Sequence, residues 1–332
     1  MTVIQEYSKL PVISLRDHKS VESLAQQLND VCTTEGFMYV KDHGIPQELI
    51  DKAFAIAGDY FANAGPQDKV ELKDNIGYTA MRKGLRWFVL SLDSTRGSGD
   101  LKECFHLANP DWLQLHDEQM LLPPILEPSR STMESFISQI NCVAHRLLEG
   151  LSVSLHLAPD YLSSQHLGER NRLRLLHYPP ASLPLNTTED SKSADIRAGA
   201  HTDYGSITVL FQSSVSGLQV RRGSSWVDVP PKPGCLVINI GDALEFWSGG
   251  AFKSTLHRVV MPRNLSETTS RYSIAYFLHP DNESVLQPLG GQINDLVLDE
   301  ILVRKGMKAG VRKIKGGEYV QARLDATYGK KE

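Results

Sequence analysis

The chain has 332 residues, 41% of them hydrophobic and 22% charged, with a formal net charge of −4; this is ample for a sizeable core and argues against a nucleic-acid or anionic-membrane partner. Cys32, Cys104, Cys142 and Cys235 lie far apart without a CxxC pair, which excludes a disulfide framework or a cysteine zinc site and fits a reducing compartment. Glu6, Lys9, Arg16, Asp17 and Lys19 break up the first thirty residues, leaving no apolar core for a signal peptide; no stretch approaches membrane-spanning length, and a cytoplasmic protein is expected.

From the N terminus, Pro11 to Leu15 predicts a short strand. Ser20-Val-Glu-Ser23 has the spacing that opens a helix, and Leu24, Leu28 and Val31 recur along one face of it. Phe37 to Val40 reads as a strand, and Pro46 to Phe61 as a helix with proline near its start, where a missing N–H costs little. Between Gly77 and Asp111, Gly84, Gly97 and Gly99 punctuate a segment carrying Tyr78, Arg86, Trp87, Phe88 and His106. A long irregular excursion is expected there, and such loops in compact domains tend to be functional. From Pro128 to Leu157 the apolar positions Met133, Phe136, Ile137, Ile140, Val143, Leu147 and Leu151 recur at three and four, predicting one long helix that backs a sheet.

After Asn171 the texture changes to strands separated by turn residues. Leu173 to Tyr178, Ile207 to Gln212, Leu218 to Arg222, Trp226 to Val229, Cys235 to Ile240, Ala243 to Trp247, Ser254 to Val260 and Tyr272 to Leu278 are the candidate strands. Their close spacing is that of a sandwich or jelly roll, a class that includes the cupin-type double-stranded β-helix. The expected fold is therefore mainly β with flanking helices around a jelly-roll core. The tail from Ile293 to Tyr328 returns to a helical pattern. Its basic cluster of Arg304, Lys305, Lys308, Arg312, Lys313 and Lys315 reads as a solvated surface.

The chemistry concentrates between Ala198 and Arg271. In a strand, residues i and i+2 share a face, so His201 and Asp203 would present an imidazole and a carboxylate side by side, with His257 arriving from a later strand. Two histidines and one carboxylate on one face of a metal leave the opposite positions open, as non-haem Fe(II) requires when substrate and oxygen must also bind. With 11 His and 39 acidic residues, His-x-Asp/Glu should arise about once by chance; it occurs at His116, His201 and His279. His279 has no histidine after it, and His116 with Glu118 has His166 downstream at a plausible distance, but that histidine sits in a helix-and-loop region. Only His201, Asp203 and His257 fall in strand-patterned sequence and precede Arg271-x-Ser273.

Asn171-Arg-Leu-Arg-Leu-Leu-His-Tyr178-Pro-Pro180, His201-Thr-Asp203, Cys235-Leu-Val-Ile-Asn-Ile-Gly-Asp242, Lys253-Ser-Thr-Leu-His257 and Arg271-Tyr-Ser273, taken in that order, resemble the soluble small-molecule Fe(II)- and 2-oxoglutarate-dependent dioxygenases, the isopenicillin N synthase-like superfamily. Leu10 to Leu15, Glu35 to Ile45 and Gly99 to Phe105 also resemble that family's leader. The resemblance implies one compact enzyme domain over 1–332, with an N-terminal mixed region over 8–110, the iron and 2-oxoglutarate core over 170–285 and a helical tail over 290–330.

It also implies an activity: with Fe(II), O2 and 2-oxoglutarate, oxidation of an unactivated or benzylic C–H bond of a small, secondary-metabolite type of substrate, releasing succinate and CO2. Hydroxylation, desaturation and ring rearrangement all stay open. Arg271 can bond a carboxylate bidentately, Ser273 shares its face, and Tyr178 lies on the facing strand; by resemblance these three clasp the distal carboxylate of 2-oxoglutarate. Many relatives have Asn where this chain has Leu176, which removes one polar contact.

Arg174 shares the face of Leu176 and Tyr178. It is expected either to pair with a scaffold carboxylate such as Glu103 or to await an acidic group on the substrate. Arg86, Trp87, Phe88, His106 and Tyr204 complete the candidate substrate set. The competing readings are an iron oxidase of the same fold that does not use 2-oxoglutarate, a zinc hydrolase or isomerase, and a non-catalytic small-molecule binding protein.

Overall fold

The computed structural model describes residues 10–18, 20–73, 76–81, 100–180, 196–261, 269–289 and 294–328. β1 (Val12–Ser14) and β2 (Phe37–Lys41) flank α1 (Val21–Thr34), and α2 (Gln47–Asn63) leads to β3 (Glu71–Lys73), β4 (Ile76–Thr79) and β5 (Glu103–Ala108). α3 (Pro110–Leu115) and α4 (Arg130–Ser154) follow. The central strands are β6 (Arg172–Tyr178), β7 (Ile196–His201), β8 (Ile207–Gln212), β9 (Leu218–Arg222), β10 (Ser225–Asp228), β11 (Cys235–Ile240), β12 (His257–Val260) and β13 (Arg271–Leu278), with α5 (Asp242–Trp247) between β11 and β12. β14 (Val285–Leu286), α6 (Asp295–Arg304), β15 (Ile314–Lys315) and α7 (Gly316–Tyr328) close the described chain.

A nine-stranded sheet in the order β1-β2-β11-β8-β13-β6-β5-β4-β3 faces a four-stranded sheet, β10-β9-β12-β7, and together they form a jelly roll. Alternation along the strands divides the core. On β13, Ile274, Tyr276 and Leu278 join the helix-facing core with Phe136, Ile137 and Ile140 of α4. The intervening Ala275 packs with Cys104, Leu176, Tyr178, Ala198 and Val259 between the sheets. The site residues are drawn from that inner face.

The helices behave as their patterns require. The Ser20 hydroxyl caps α1 by accepting from the Ser23 N–H at 3.4 Å, and Leu24, Leu28 and Val31 are buried along it. α1 packs on α4 where Gly150 has no side chain; a Cβ there would lie 2.6 Å from Leu28 Cδ1.

Three expectations need correction. Ala243 to Trp247 is helical, not a strand: a short apolar run fits either element, and here every residue of α5 is buried while its first N–H groups bond back to the 203–205 turn. The stretch from Gly77 to Asp111 is not irregular throughout, because β4 and β5 pair there in register and extend the large sheet; Arg86, Trp87 and Phe88 lie outside the described residues. Lys305 is not on a solvated surface but is 5% exposed.

His166 links the loop after α4 to the start of β8. Its Nδ1 lies 2.6 Å from the Leu162 carbonyl and its Nε2 2.7 Å from the Ser206 hydroxyl, which suits a neutral ring protonated at Nδ1. Burial pushes its pKa from the ordinary 6.5 down to about 4. In that window the unfolded state binds more protons, so stability falls as pH is lowered, by about 2 kcal/mol between pH 7 and pH 5 through this residue. Urea unfolding should show a shallower pH slope in His166→Gln than in the parent protein; an equal slope would exclude His166 as a source.

Candidate active site

His201 ends β7, and antiparallel pairing places it opposite His257, the first residue of β12. The two imidazole centroids are 4.3 Å apart. Asp203 is not on the strand with His201, as the i, i+2 argument assumed, but in the turn that follows. The turn still returns its carboxylate to the histidines, with Oδ1 4.0 Å from His201 Nε2 and 3.8 Å from His257 Nε2. Those separations are too long for hydrogen bonds and leave room between the three atoms. Among the described residues, this is the one group of three or more His, Cys, Asp or Glu side chains whose ligand atoms converge, within 4.8 Å of one another.

The surroundings prepare each group as a ligand. His201 Nδ1 donates to the Gly199 carbonyl at 2.8 Å and His257 Nδ1 to the Thr255 carbonyl at 3.1 Å, so both Nε2 atoms are left unprotonated on the side where Asp203 Oδ1 lies. Asp203 Oδ2 accepts from the Thr208 hydroxyl at 2.6 Å and the Asn239 amide at 2.8 Å, which leaves Oδ1 free. Burial, reinforced by neighbouring His257, pushes the His201 pKa down to about 4 and keeps the ring neutral for coordination. Burial opposes ionisation of Asp203, but His257, His201 and its two hydrogen-bond donors outweigh it and hold the carboxyl below its usual range. The turn needs two glycines: a Cβ on Gly205 would fall 2.1 Å from the Leu278 carbonyl oxygen, and one on Gly241 2.2 Å from the Gly205 carbonyl oxygen. The donor set therefore fits a divalent metal with open positions on the far side.

Farther along the inner face lies Arg271, 1% exposed. Its guanidinium donates to Ser273 Oγ at 3.2 Å and to Gln212 Oε1 at 3.1 Å, while its Nε has no partner. The Tyr178 ring lies 5.0 Å from it. No carboxylate among the described residues pairs with this buried cation, and burial lowers its pKa. A bound anion would resolve that cost, so the residues fit a carboxylate ligand. Leu176 sits opposite Ser273 in register and supplies an apolar wall where a polar group was noted as missing.

Arg174 does share the inner face with Leu176 and Tyr178, opposite Ala275. Glu103 is not its partner: that carboxylate accepts from Tyr78 at 2.7 Å and lies 2.8 Å from His177 Nδ1 and 3.5 Å from Lys69 Nζ. The Arg174 guanidinium lies 4.7 Å from the Phe277 ring, and its buried Nε has no hydrogen-bond partner. His106 neighbours Arg174 across β5 and β6, with Nε2 3.2 Å from Cys104 Sγ. Tyr204 donates its hydroxyl to Thr327 Oγ1 at 2.8 Å, so it faces the C-terminal helix.

Sequence reasoning overlooked Thr208, Asn239, Gln212 and Lys102, which is ion-paired to buried Asp100 at 2.8 Å. Thr208, Gln212 and Asn239 were legible in one respect, as polar residues interrupting strongly apolar strands.

Residues 170–280 match the 2OG-Fe(II) oxygenase superfamily, and residues 10–126 match the family described as non-haem dioxygenase in morphine synthesis N-terminal. A UPF0676 protein of Schizosaccharomyces pombe is 32% identical, with 97% of this chain and 93% of that protein covered. A 1-aminocyclopropane-1-carboxylate oxidase of Dictyostelium mucoroides is 29% identical, with 84% of each chain covered. Among solved structures, a full-length Neurospora crassa protein in complex with alpha-KG (2-oxoglutarate) and 5-formyluracil has a TM-score of 0.78 at 28% identity and covers 98% of both chains; it has also been crystallised with thymine. With its jelly roll and converging His, Asp and His, this chain belongs to the 2-oxoglutarate- and Fe(II)-dependent oxygenase superfamily and is a non-haem dioxygenase that uses both cofactors.

Proposed function

We propose that His201, Asp203 and His257 hold the iron, that Arg271, Ser273 and Tyr178 anchor the distal carboxylate of 2-oxoglutarate, and that a C–H bond of a small planar molecule is oxidised beside Arg174. The observation that carries this reading is the Arg271 guanidinium, buried without a carboxylate partner among the described residues, on the same inner face as the converging triad. Thr208 donates to Asp203 and Gln212 accepts from Arg271, so the two centres are tied to positions four residues apart on β8. That is roughly 13 Å of strand. Two side chains reaching inward and a five-carbon diacid can span it.

When bound, Fe(II) supplies oxygen activation coupled to decarboxylation of 2-oxoglutarate, which yields succinate, CO2 and an oxidised substrate. The chain's own residues bind and orient. Arg271, Ser273 and Tyr178 fix one end of the diacid, with Gln212 holding the Arg271 guanidinium, and Leu176, Ala198, Ala275 and Val259 line the space between the sheets with apolar surface that excludes water. Arg174, with Phe277 beneath it, offers a flat cationic surface to a phenolate, enolate, carboxylate or ring carbonyl. Thymine and 5-formyluracil, found with the Neurospora crassa protein, are planar rings with carbonyl oxygens, which favours this shape of ligand.

The test is anaerobic reconstitution with Fe(II) and 2-oxoglutarate, followed by oxygen. A weak visible charge-transfer band and then stoichiometric succinate are expected; turnover without succinate would favour the 2-oxoglutarate-independent oxidase, and absence of both band and oxygen uptake would sink the assignment. On the substrate side, Arg174→Leu should leave 2-oxoglutarate binding unchanged while coupled substrate oxidation falls ~30-fold or more, as expected for loss of a buried charge-assisted contact. Equal loss of both, or loss of folding, would assign Arg174 to the scaffold.

A further inference from the structure

The turn that carries Asp203 is held from behind by a buried cluster of charges. Asp242, fully buried at the start of α5, accepts from the Thr202 hydroxyl at 3.0 Å, the Ser254 hydroxyl at 2.6 Å, Arg323 Nε at 2.8 Å and Lys305 Nζ. Lys305 Nζ also donates to Thr202 Oγ1 at 3.1 Å and lies 3.3 Å from Glu245. Arg323 donates to the Lys305 carbonyl as well, and the Tyr319 hydroxyl donates to the Asp242 carbonyl at 2.9 Å. Both cations come from the C-terminal part of the chain: Lys305 follows α6 directly and Arg323 lies on α7. Burial opposes ionisation of Asp242, but Lys305 and Arg323 prevail and hold its carboxyl down at about 2.

The same turn is gripped through its backbone. The Asp242 N–H donates to the Asp203 carbonyl at 2.7 Å, and the Ala243 N–H to the carbonyls of Tyr204 and Gly205 at 3.2 and 3.0 Å. The Arg323 guanidinium lies 5.0 Å from the Tyr204 ring, whose hydroxyl is bonded to α7 through Thr327. His201 and His257 sit on paired strands and are aimed by the sheet. Asp203 has no strand to aim it, and Thr202 immediately before it is one of the points the cluster holds. Buried ionic networks add little net stability over apolar packing, but their fixed geometry selects one arrangement.

We propose that Lys305 and Arg323 are positioning residues for the metal centre: acting through Asp242 and Thr202, the C-terminal helices fix the turn that presents Asp203 to the ion. This rests on reading His201, Asp203 and His257 as the ligands. The test titrates Mn(II) into the full-length protein without 2-oxoglutarate and reads the free ion by electron paramagnetic resonance, so no turnover is needed. Lys305→Met should raise the Mn(II) dissociation constant at least tenfold with a native circular dichroism spectrum, and Lys305→Arg should restore it to within threefold. Tyr276→Phe serves as the control, since it removes a buried hydrogen bond to Asn141 away from the turn.

If Tyr276→Phe weakens Mn(II) as much as Lys305→Met for a similar loss of melting temperature, general destabilisation explains the effect and the proposal fails. Unchanged affinity in Lys305→Met also overturns it. Should that variant not fold, Thr202→Val leaves the charges of the cluster paired and must still weaken Mn(II) about threefold or more; no change there overturns the proposal as well. Binding that Asp203→Ala leaves unchanged would instead overturn the ligand reading, and this proposal with it.

Discussion

Asp203→Ala, His201→Ala and His257→Ala are each expected to abolish turnover while leaving the far-ultraviolet circular dichroism of the parent protein. The two histidines lie on strands held by backbone pairing and Asp203 on a turn held by backbone hydrogen bonds, so none of the three side chains carries the local fold. Loss of a group that merely orients a ligand costs ~10–100-fold in metal affinity or activity, and Asn239→Ala, which removes a donor to Asp203 Oδ2, should fall in that range. Loss of a ligand itself should exceed it, to ~1000-fold or more. The measurement is succinate release at saturating Fe(II), with Mn(II) affinity alongside. Near-parental activity in two of the three ligand variants would refute the assignment.

That site was visible in the sequence as an ordered set of residue types, although the strand spacing invoked for His201 and Asp203 does not hold, since Asp203 lies in the turn after β7. The strands at Leu218 to Arg222 and Cys235 to Ile240 were bounded to the residue, and the inner face of β6 followed from alternation alone. Local pattern misleads where tertiary structure overrides it. Ala243 to Trp247 is apolar throughout, so it has no period to read; the turn at Asp203 to Gly205 recruits it as a helix by bonding its first N–H groups. Lys305 lies in a basic run that looks solvated, and only the fold brings Asp242 and Glu245 to it across some sixty residues. Likewise Glu103 was offered as a scaffold carboxylate for Arg174, but it lies opposite His177 on the other face of the sheet, where Tyr78 and His177 bind it.

Among the described residues, the inner face also carries more positive charge than its own carboxylates balance. Arg197, 1% exposed, donates to the Pro179 carbonyl at 3.0 Å and leaves Nη1 unbonded, and Arg174 and Arg271 each leave Nε unbonded. Against them stand Asp100, already paired with Lys102, and Asp203, committed beside the histidines. Unpaired buried charge is costly, and a bound carboxylate would offset part of that cost.

Arg271→Leu therefore separates binding from stability. Without 2-oxoglutarate, the variant should melt no lower than the parent protein, because leucine relieves a buried cation that has no carboxylate partner among the described residues. With 2-oxoglutarate and Mn(II), the parent should gain about 3 kcal/mol at a hundredfold excess over its dissociation constant, and the variant should gain little. Losing a charge-assisted pair in a pocket costs ~2–5 kcal/mol, which corresponds to a dissociation constant for 2-oxoglutarate raised ~30- to 5000-fold. Arg271→Lys should fall between the two, since an ammonium keeps the charge but cannot bond Ser273, Gln212 and a carboxylate together as the planar fork can. Calorimetric titration of 2-oxoglutarate into the Mn(II)-loaded variants measures this directly. An unchanged constant in Arg271→Leu would move the anchor elsewhere, with Arg197 the next cation to test.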